Sequence, residues 1–174
     1  MQQGNSTVWQ RMIGAARLDL DAYEAVERDV NATSSALLIV VFSAVAAGIG
    51  ALTSNGVRGL IVSVIADLIA WVLYASVAYF IGTAIFKTSE TRTTLGELLR
   101  TLGYAQTPAL LLVLSGITVV GGFVSIVVFF WILATTVVAL RQALDFTTGR
   151  AIGTAIVSWL LFVVPFIIIV SFLS

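Results

Sequence analysis

The stretch LGYAQTPALLLVLSGITVVGGFVSIVVFFWILATTVVAL, residues 102–140, decides the fold. It contains no charged residue. As a single α-helix it would run roughly 58 Å at 1.5 Å per residue, nearly twice the ~30 Å hydrocarbon core of a bilayer. Gly121 and Gly122 divide it. A tight helical hairpin at that pair converts one overlong helix into two spans, 102–120 and 123–140.

Three more apolar stretches surround this pair, at 34–52, 59–86 and 151–173. Each is near the roughly 20 residues that a crossing needs, and 59–86 is long enough to require tilt or protrusion. Of the 174 residues, 59% are apolar and 10% charged. A soluble domain carries about 25% charged residues and could not bury this much Ile, Val, Leu and Phe, whereas lipid can solvate it. The predicted fold is all-α: a polytopic membrane bundle of five transmembrane helices over 32–174, preceded by an amphipathic N-terminal segment over 1–31.

The basic residues test the count. Arg11, Arg17 and Arg28 precede the first span, and Arg58 lies in the first loop. Lys87, Arg92 and Arg100 lie in the second loop, and Arg141 and Arg150 between the last two spans. Five spans with a cytoplasmic N-terminus and an outside C-terminus place all of these inside except Arg58, as the positive-inside bias asks. The expected location is a multi-pass position in a plasma membrane.

Residues 1–31 carry Trp9, Met12, Ile13, Ala16, Leu20, Tyr23, Val26 and Val30 at steps of three and four, one face of a helix. Asn5 or Ser6 is the expected cap, and Asp21 with Glu24 marks a break and restart near Leu20. The segment is expected to lie along the membrane surface. Within the spans, Pro108 and Pro165 predict kinks, with Gln106 and Thr107 placed to bond carbonyls that Pro108 frees. Gly149 and Gly153 form a GxxxG whose expected use is internal packing, a homo-oligomer face being the other. Arg141 and Asp145, four apart, are expected to pair on the surface.

Chemistry is sparse. The chain has no Cys and no His, which removes thiol nucleophiles, thiolate metal sites and imidazole acid–base work. Nine acidic residues balance nine basic ones, so nucleic acid is not an expected partner. No phosphate loop or metal-ligand cluster occurs, and no cofactor is expected. Asp67 is the one ionisable residue well inside a span, where a carboxylate costs about 3 kcal/mol by insertion scales. It is either a proton or cation site, or a group eased by tilt toward the headgroups or by a Ser or Thr partner.

Four stretches carry a family resemblance: YEAVERDVNATSSALLIV at 23–40, ETRTTLGELLRTLGYAQTP at 90–108, WILATTVVALRQALDF at 131–146 and TTGRAIGTAIVSWLL at 147–161. In order and spacing they resemble prokaryotic members of the Yip domain family, whose eukaryotic relatives are Ypt- and Rab-interacting membrane proteins. The resemblance implies five spans, a cytoplasmic N-terminus and no enzymatic activity. By family position it marks Tyr23, Glu24, Asp29, Gly103, Tyr104 and Pro108. The chain has YEAVERD where eukaryotic members carry a DLYGP-like element, so GTPase binding does not carry over.

The expected function is a non-catalytic membrane scaffold or adaptor that contacts a protein partner on the cytoplasmic side. Two alternatives stay open at the level of sequence: a small channel or carrier using Asp67, and an accessory subunit of a larger membrane complex.

Overall fold

The computed structural model describes residues 7–50, 52–89, 91–117 and 119–173, and among these it contains helices and no strand. The elements are α1 (Val8–Ala16), α2 (Leu20–Arg28), α3 (Ala32–Gly50), α4 (Leu52–Ala84), α5 (Leu95–Ala105), a 3-10 helix (Thr107–Gly116), α6 (Gly121–Ala143) and α7 (Thr148–Leu173). Four of them are long and apolar enough to cross a bilayer: α3, the Gly56–Ala84 part of α4, α6, and Thr148–Ile168 of α7. The protein is a multi-pass membrane protein.

The stretch that opened the sequence reading departs from a simple hairpin of two α-helices. α5 starts ahead of it at Leu95 and stops at Ala105, and the next ten residues form a 3-10 helix. Pro108, in the first turn of that segment, supplies no N–H for the Tyr104 carbonyl. The Thr107 hydroxyl bonds that carbonyl instead at 2.7 Å, as expected for a residue beside the proline. A 3-10 helix rises about 2.0 Å per residue, so ten residues cover ~20 Å. The turn into α6 lies ahead of the glycine pair, because the N–H groups of Val120 and Gly121 both bond the Ile117 carbonyl. Gly121 serves close packing: a Cβ there would collide with the Ser115 carbonyl oxygen. Gly122 faces open space.

The long elements close into a ring. α3 packs on the 3-10 helix and on α4, α4 on α7, α7 on α6, and α6 on the 3-10 helix. α5 wedges against α3, α4 and α6. The buried core (Tyr23, Val26, Ala36, Ala75, Ala78, Leu98, Leu102, Leu140 and Leu144 among it) sits in the half where α5 lies. The other half presents Ile61, Phe123, Ile126, Phe130 and Ile168 outward, as a lipid-facing surface should. α4 from Gly56 has 29 residues, ~43 Å of helix, and its second half is the part that protein covers.

The N-terminal segment is a docked helical hairpin. α1 is capped by Thr7 in a capping box with Gln10, one residue beyond the expected Asn5 and Ser6, which lie outside the described residues. The expected break is present, but its cap is Asp19, which accepts from the Asp21 N–H, and not Asp21 with Glu24. Leu18 closes α1 in the left-handed region at φ 63°, with Leu18 and Asp19 N–H groups returning to Ala15 and Gly14. Asp145 plays the same part after α6 at φ 52°. That position takes Asp145 off the helical register, and it makes no ion pair with Arg141. In the GxxxG pair, a Cβ at Gly153 would meet the Phe86 ring at 3.4 Å, an ordinary contact, while Gly149 faces open space.

Candidate functional site

Two places gather polar side chains. The first is the platform formed by α1 and α2 on α5 and α6. α2 carries Tyr23, Glu24 and Glu27 at steps of one and three, so that Tyr23 and Val26 turn inward and Glu24 turns outward. The Tyr23 hydroxyl donates toward the carbonyls of Ala15 (3.2 Å) and Thr135 (3.3 Å), and burial pushes this phenol far above its ordinary range. The Trp131 indole N–H donates to the Ala16 carbonyl at 2.7 Å, and the Thr135 hydroxyl to Ala105 at 2.8 Å. Arg100, on α5 and buried, donates through Nη2 to the Glu27 carbonyl at 2.5 Å and through Nε to Val26 at 3.2 Å. The last turns of α1 and α2 thus have their free carbonyls met from the membrane bundle.

Charge on this platform is paired at its edges and crowded at its centre. Arg11 holds Asp29 at 2.6 Å and keeps that carboxyl below its usual range; Arg28 pairs with Glu24. Partial burial, with Glu97 and Asp145 nearby, pushes Glu27 up to about 7.

The remaining family positions have local packing reasons. Gly103 allows α5 to cross α3, since a Cβ there would meet the Ala36 Cβ at 2.7 Å. Tyr104 is fully buried, and its hydroxyl has no hydrogen-bond partner among the described residues. Pro108 is buried at the α5 to 3-10 transition. Tyr23, Glu24 and Asp29 are together on the platform, while Gly103, Tyr104 and Pro108 lie along the following α5 and 3-10 run.

The second place is a cavity of about 410 Å³ inside the ring, lined from all five sides. Asp67 and Trp71 reach it from α4, Ser43 from α3, Gln106 from the end of α5, Thr136 from α6 and Trp159 from α7. Asp67 lies eleven residues past Gly56, ~16 Å along α4, and its side chain is exposed. It makes no hydrogen bond or ion pair with any described residue. The other cavity heteroatoms are largely engaged: Trp71 donates to the Leu99 carbonyl, Tyr74 to Ala155 and Ser43 to Gln106. No group of three His, Cys, Asp or Glu able to hold a metal occurs among the described residues.

Arg100, Trp131 and Glu27 were not singled out by sequence. Arg100 counts there only as a loop cation. The signal that would have placed it on a helix is Thr94-Leu-Gly-Glu97, a capping box that opens α5. No curated protein and no solved structure matches the chain. The Yip1 domain matches residues 20–169, from the first residue of α2 almost to the end of α7. With the docked hairpin, the helical ring and this match over most of its length, the chain belongs to the Yip1 domain family.

Proposed function

We propose that the protein is a non-catalytic membrane scaffold whose partner docks on the α1–α2 platform from the cytoplasm. The observation that carries this reading is the attachment of the platform. Arg100 of α5 and Trp131 of α6 bond the C-terminal carbonyls of α2 and α1, and the Tyr23 hydroxyl of α2 donates toward the Thr135 carbonyl of α6. A partner held there is therefore coupled to the membrane bundle and not to a loose tail. The outer side of the platform carries exposed Arg17, Asp21 and Arg28, charges that a polar partner surface can read.

Five crossings complete the topology, the third made by α5 and the 3-10 helix in series. The basic residues support this reading, since it leaves Arg58 alone on the outer side. The absence of Cys and His from the sequence supports a role without catalysis.

The test is affinity capture from native membranes with the intact chain and with a charge-reversed platform, Arg17→Glu, Asp21→Lys and Arg28→Glu. These positions are exposed, so the bundle should fold unchanged. A stoichiometric partner held by the intact chain and lost from the variant is the expected result. A partner retained by the variant would move the contact elsewhere, and no partner in either would end the scaffold reading.

A further inference from the structure

The central cavity and its carboxylate have no use in the platform reading. Asp67 is exposed rather than packed within the bundle, and an ionisable group in a membrane span is costly unless something offsets its charge. Here no described side chain does so, and the Gln106 amide and Thr136 hydroxyl that also line the cavity carry no charge. The cavity has a net negative character and no basic residue in its lining. An anionic ligand would find no basic partner there.

Among cations, the lining selects. A hard metal ion seeks six or more oxygens, and this cavity offers one carboxylate with few other oxygens beside it. What it has in quantity is aromatic surface: Trp71, Tyr74, Phe129, Trp159 and Phe162. Tyr74 and Phe162 meet edge to face with centroids 5.8 Å apart. Rings beside a carboxylate suit an organic ammonium, which the π faces attract and the carboxylate pairs. The volume, about 410 Å³, lies within the range of small-ligand sites. The cavity is also reachable, because Phe129 and Trp159 line it while remaining 57% and 54% exposed on the lipid-facing side.

From these observations we infer that the cavity binds an organic ammonium group, with Asp67 as its counter-ion and the aromatic side chains as its walls. The ammonium can belong to an amphiphile drawn from the bilayer or to a water-soluble amine. This inference stands apart from the scaffold reading, since no residue of α1 or α2 lines the cavity.

The experiment uses the full chain in a nonionic detergent, titrated with dodecylammonium, dodecanol and methylammonium, and read by tryptophan fluorescence and thermal unfolding. Dodecylammonium should give a saturable response and a raised melting temperature, and dodecanol, with the same tail and no charge, should not. Methylammonium binding as well as dodecylammonium assigns the site to soluble amines; binding by the tailed amine alone assigns it to membrane amphiphiles. Asp67→Asn, which keeps the shape, should weaken dodecylammonium by about tenfold or more through loss of one charge-assisted contact. Ala70→Leu narrows the cavity while keeping the carboxylate and should weaken it as well. A response to dodecanol equal to that for the amine, or wild-type affinity in either variant, overturns the inference.

Discussion

The guanidinium of Arg100 on α5 sits 2.5 Å from the carbonyl oxygen of Glu27, closing the end of α2 from the membrane bundle. Its Nε shares the Val26 and Glu27 carbonyls at 3.2 Å each. A hydrogen bond from a charged donor contributes ~1.5–3 kcal/mol, and stranding buried carbonyls adds to the loss. Arg100→Leu is expected to destabilise the protein by roughly 2–4 kcal/mol in that accounting. Arg100→Lys should restore only part, because a single ammonium cannot reproduce the planar fork. Hydrogen exchange locates the effect: amides of α2 should speed up while those at the centre of α7 stay protected. Unchanged exchange in α2 would show that packing alone holds the hairpin.

Glu27 makes that attachment pH-dependent. Burial, then Glu97, Asp145 and Glu24, raise its carboxyl to about 7 from an ordinary 4.5, with Arg28 opposing. A raised carboxyl is held without penalty below pH 4.5, where folded and unfolded chains are both protonated. The penalty grows as the pH climbs through about 7, where the folded group ionises beside its acidic neighbours. The side chain is half-exposed, so screening trims the effect to the order of 1 kcal/mol. Melting temperature should fall between pH 5 and pH 8, and Glu27→Gln should flatten that slope. A slope unchanged in Glu27→Gln would assign it to other groups.

The membrane class and all-helical fold were legible because apolar length alone forces them: lipid leaves backbone groups no partner outside a helix. What escaped was the region where two local rules compete. Residues 102–120 read as one apolar span, yet Pro108 removes the N–H that the α-helix needs and the chain tightens to 3-10 turns. The helical face of α1 and α2 was visible as a period, but a period does not say whether protein or lipid covers it. Here Tyr23 and Val26 are covered by protein, while Trp9 remains 65% exposed. For the site, Asp67 stood out by its cost. Its aromatic surroundings come from three elements, α4, α6 and α7, far apart in the chain, a juxtaposition that spacing cannot convey. Arg100 escaped because burial of a cation through backbone carbonyls has no sequence signature.

Leu18 holds a backbone conformation that L side chains avoid, φ 63°, at the close of α1. Glycine at such a cap removes a cost of about 1 kcal/mol. Leu18 is also 40% exposed, so truncation forfeits only part of a buried leucine's packing. Leu18→Gly is therefore expected to raise stability by ~0.5–1 kcal/mol, read as a higher melting temperature in detergent. A lower melting temperature would mean that the leucine side chain holds the hairpin in place.

Tyr104 marks a family position, yet its buried hydroxyl is without a partner among the described residues. A buried unsatisfied hydroxyl costs ~1–3 kcal/mol, so Tyr104→Phe should leave stability unchanged or raise it. If the ring is what the fold needs, Tyr104→Ala should lose ~3–5 kcal/mol to the cavity left behind. A destabilised Tyr104→Phe would indicate a bond that the hydroxyl makes in the membrane.

Two glycines separate packing inside the bundle from packing between copies. At Gly103 a methyl group would press on the Ala36 Cβ at 2.7 Å and on its backbone at 3.2 Å, with no flexible side chain to yield. Gly103→Ala must push α5 from α3, at a cost of roughly 1–3 kcal/mol for overpacking. At Gly149 nothing lies within 4 Å, so Gly149→Ala meets no neighbour in the single chain. Its expected effect on stability is within about 0.5 kcal/mol, and its mass in detergent should not change. A homo-oligomer using the GxxxG face would behave otherwise: the new methyl would stand in the contact, and Gly149→Ala would shift the oligomer toward monomer while leaving monomer stability alone. Light scattering on both variants, beside their melting curves, distinguishes a face used within the chain from one used between chains.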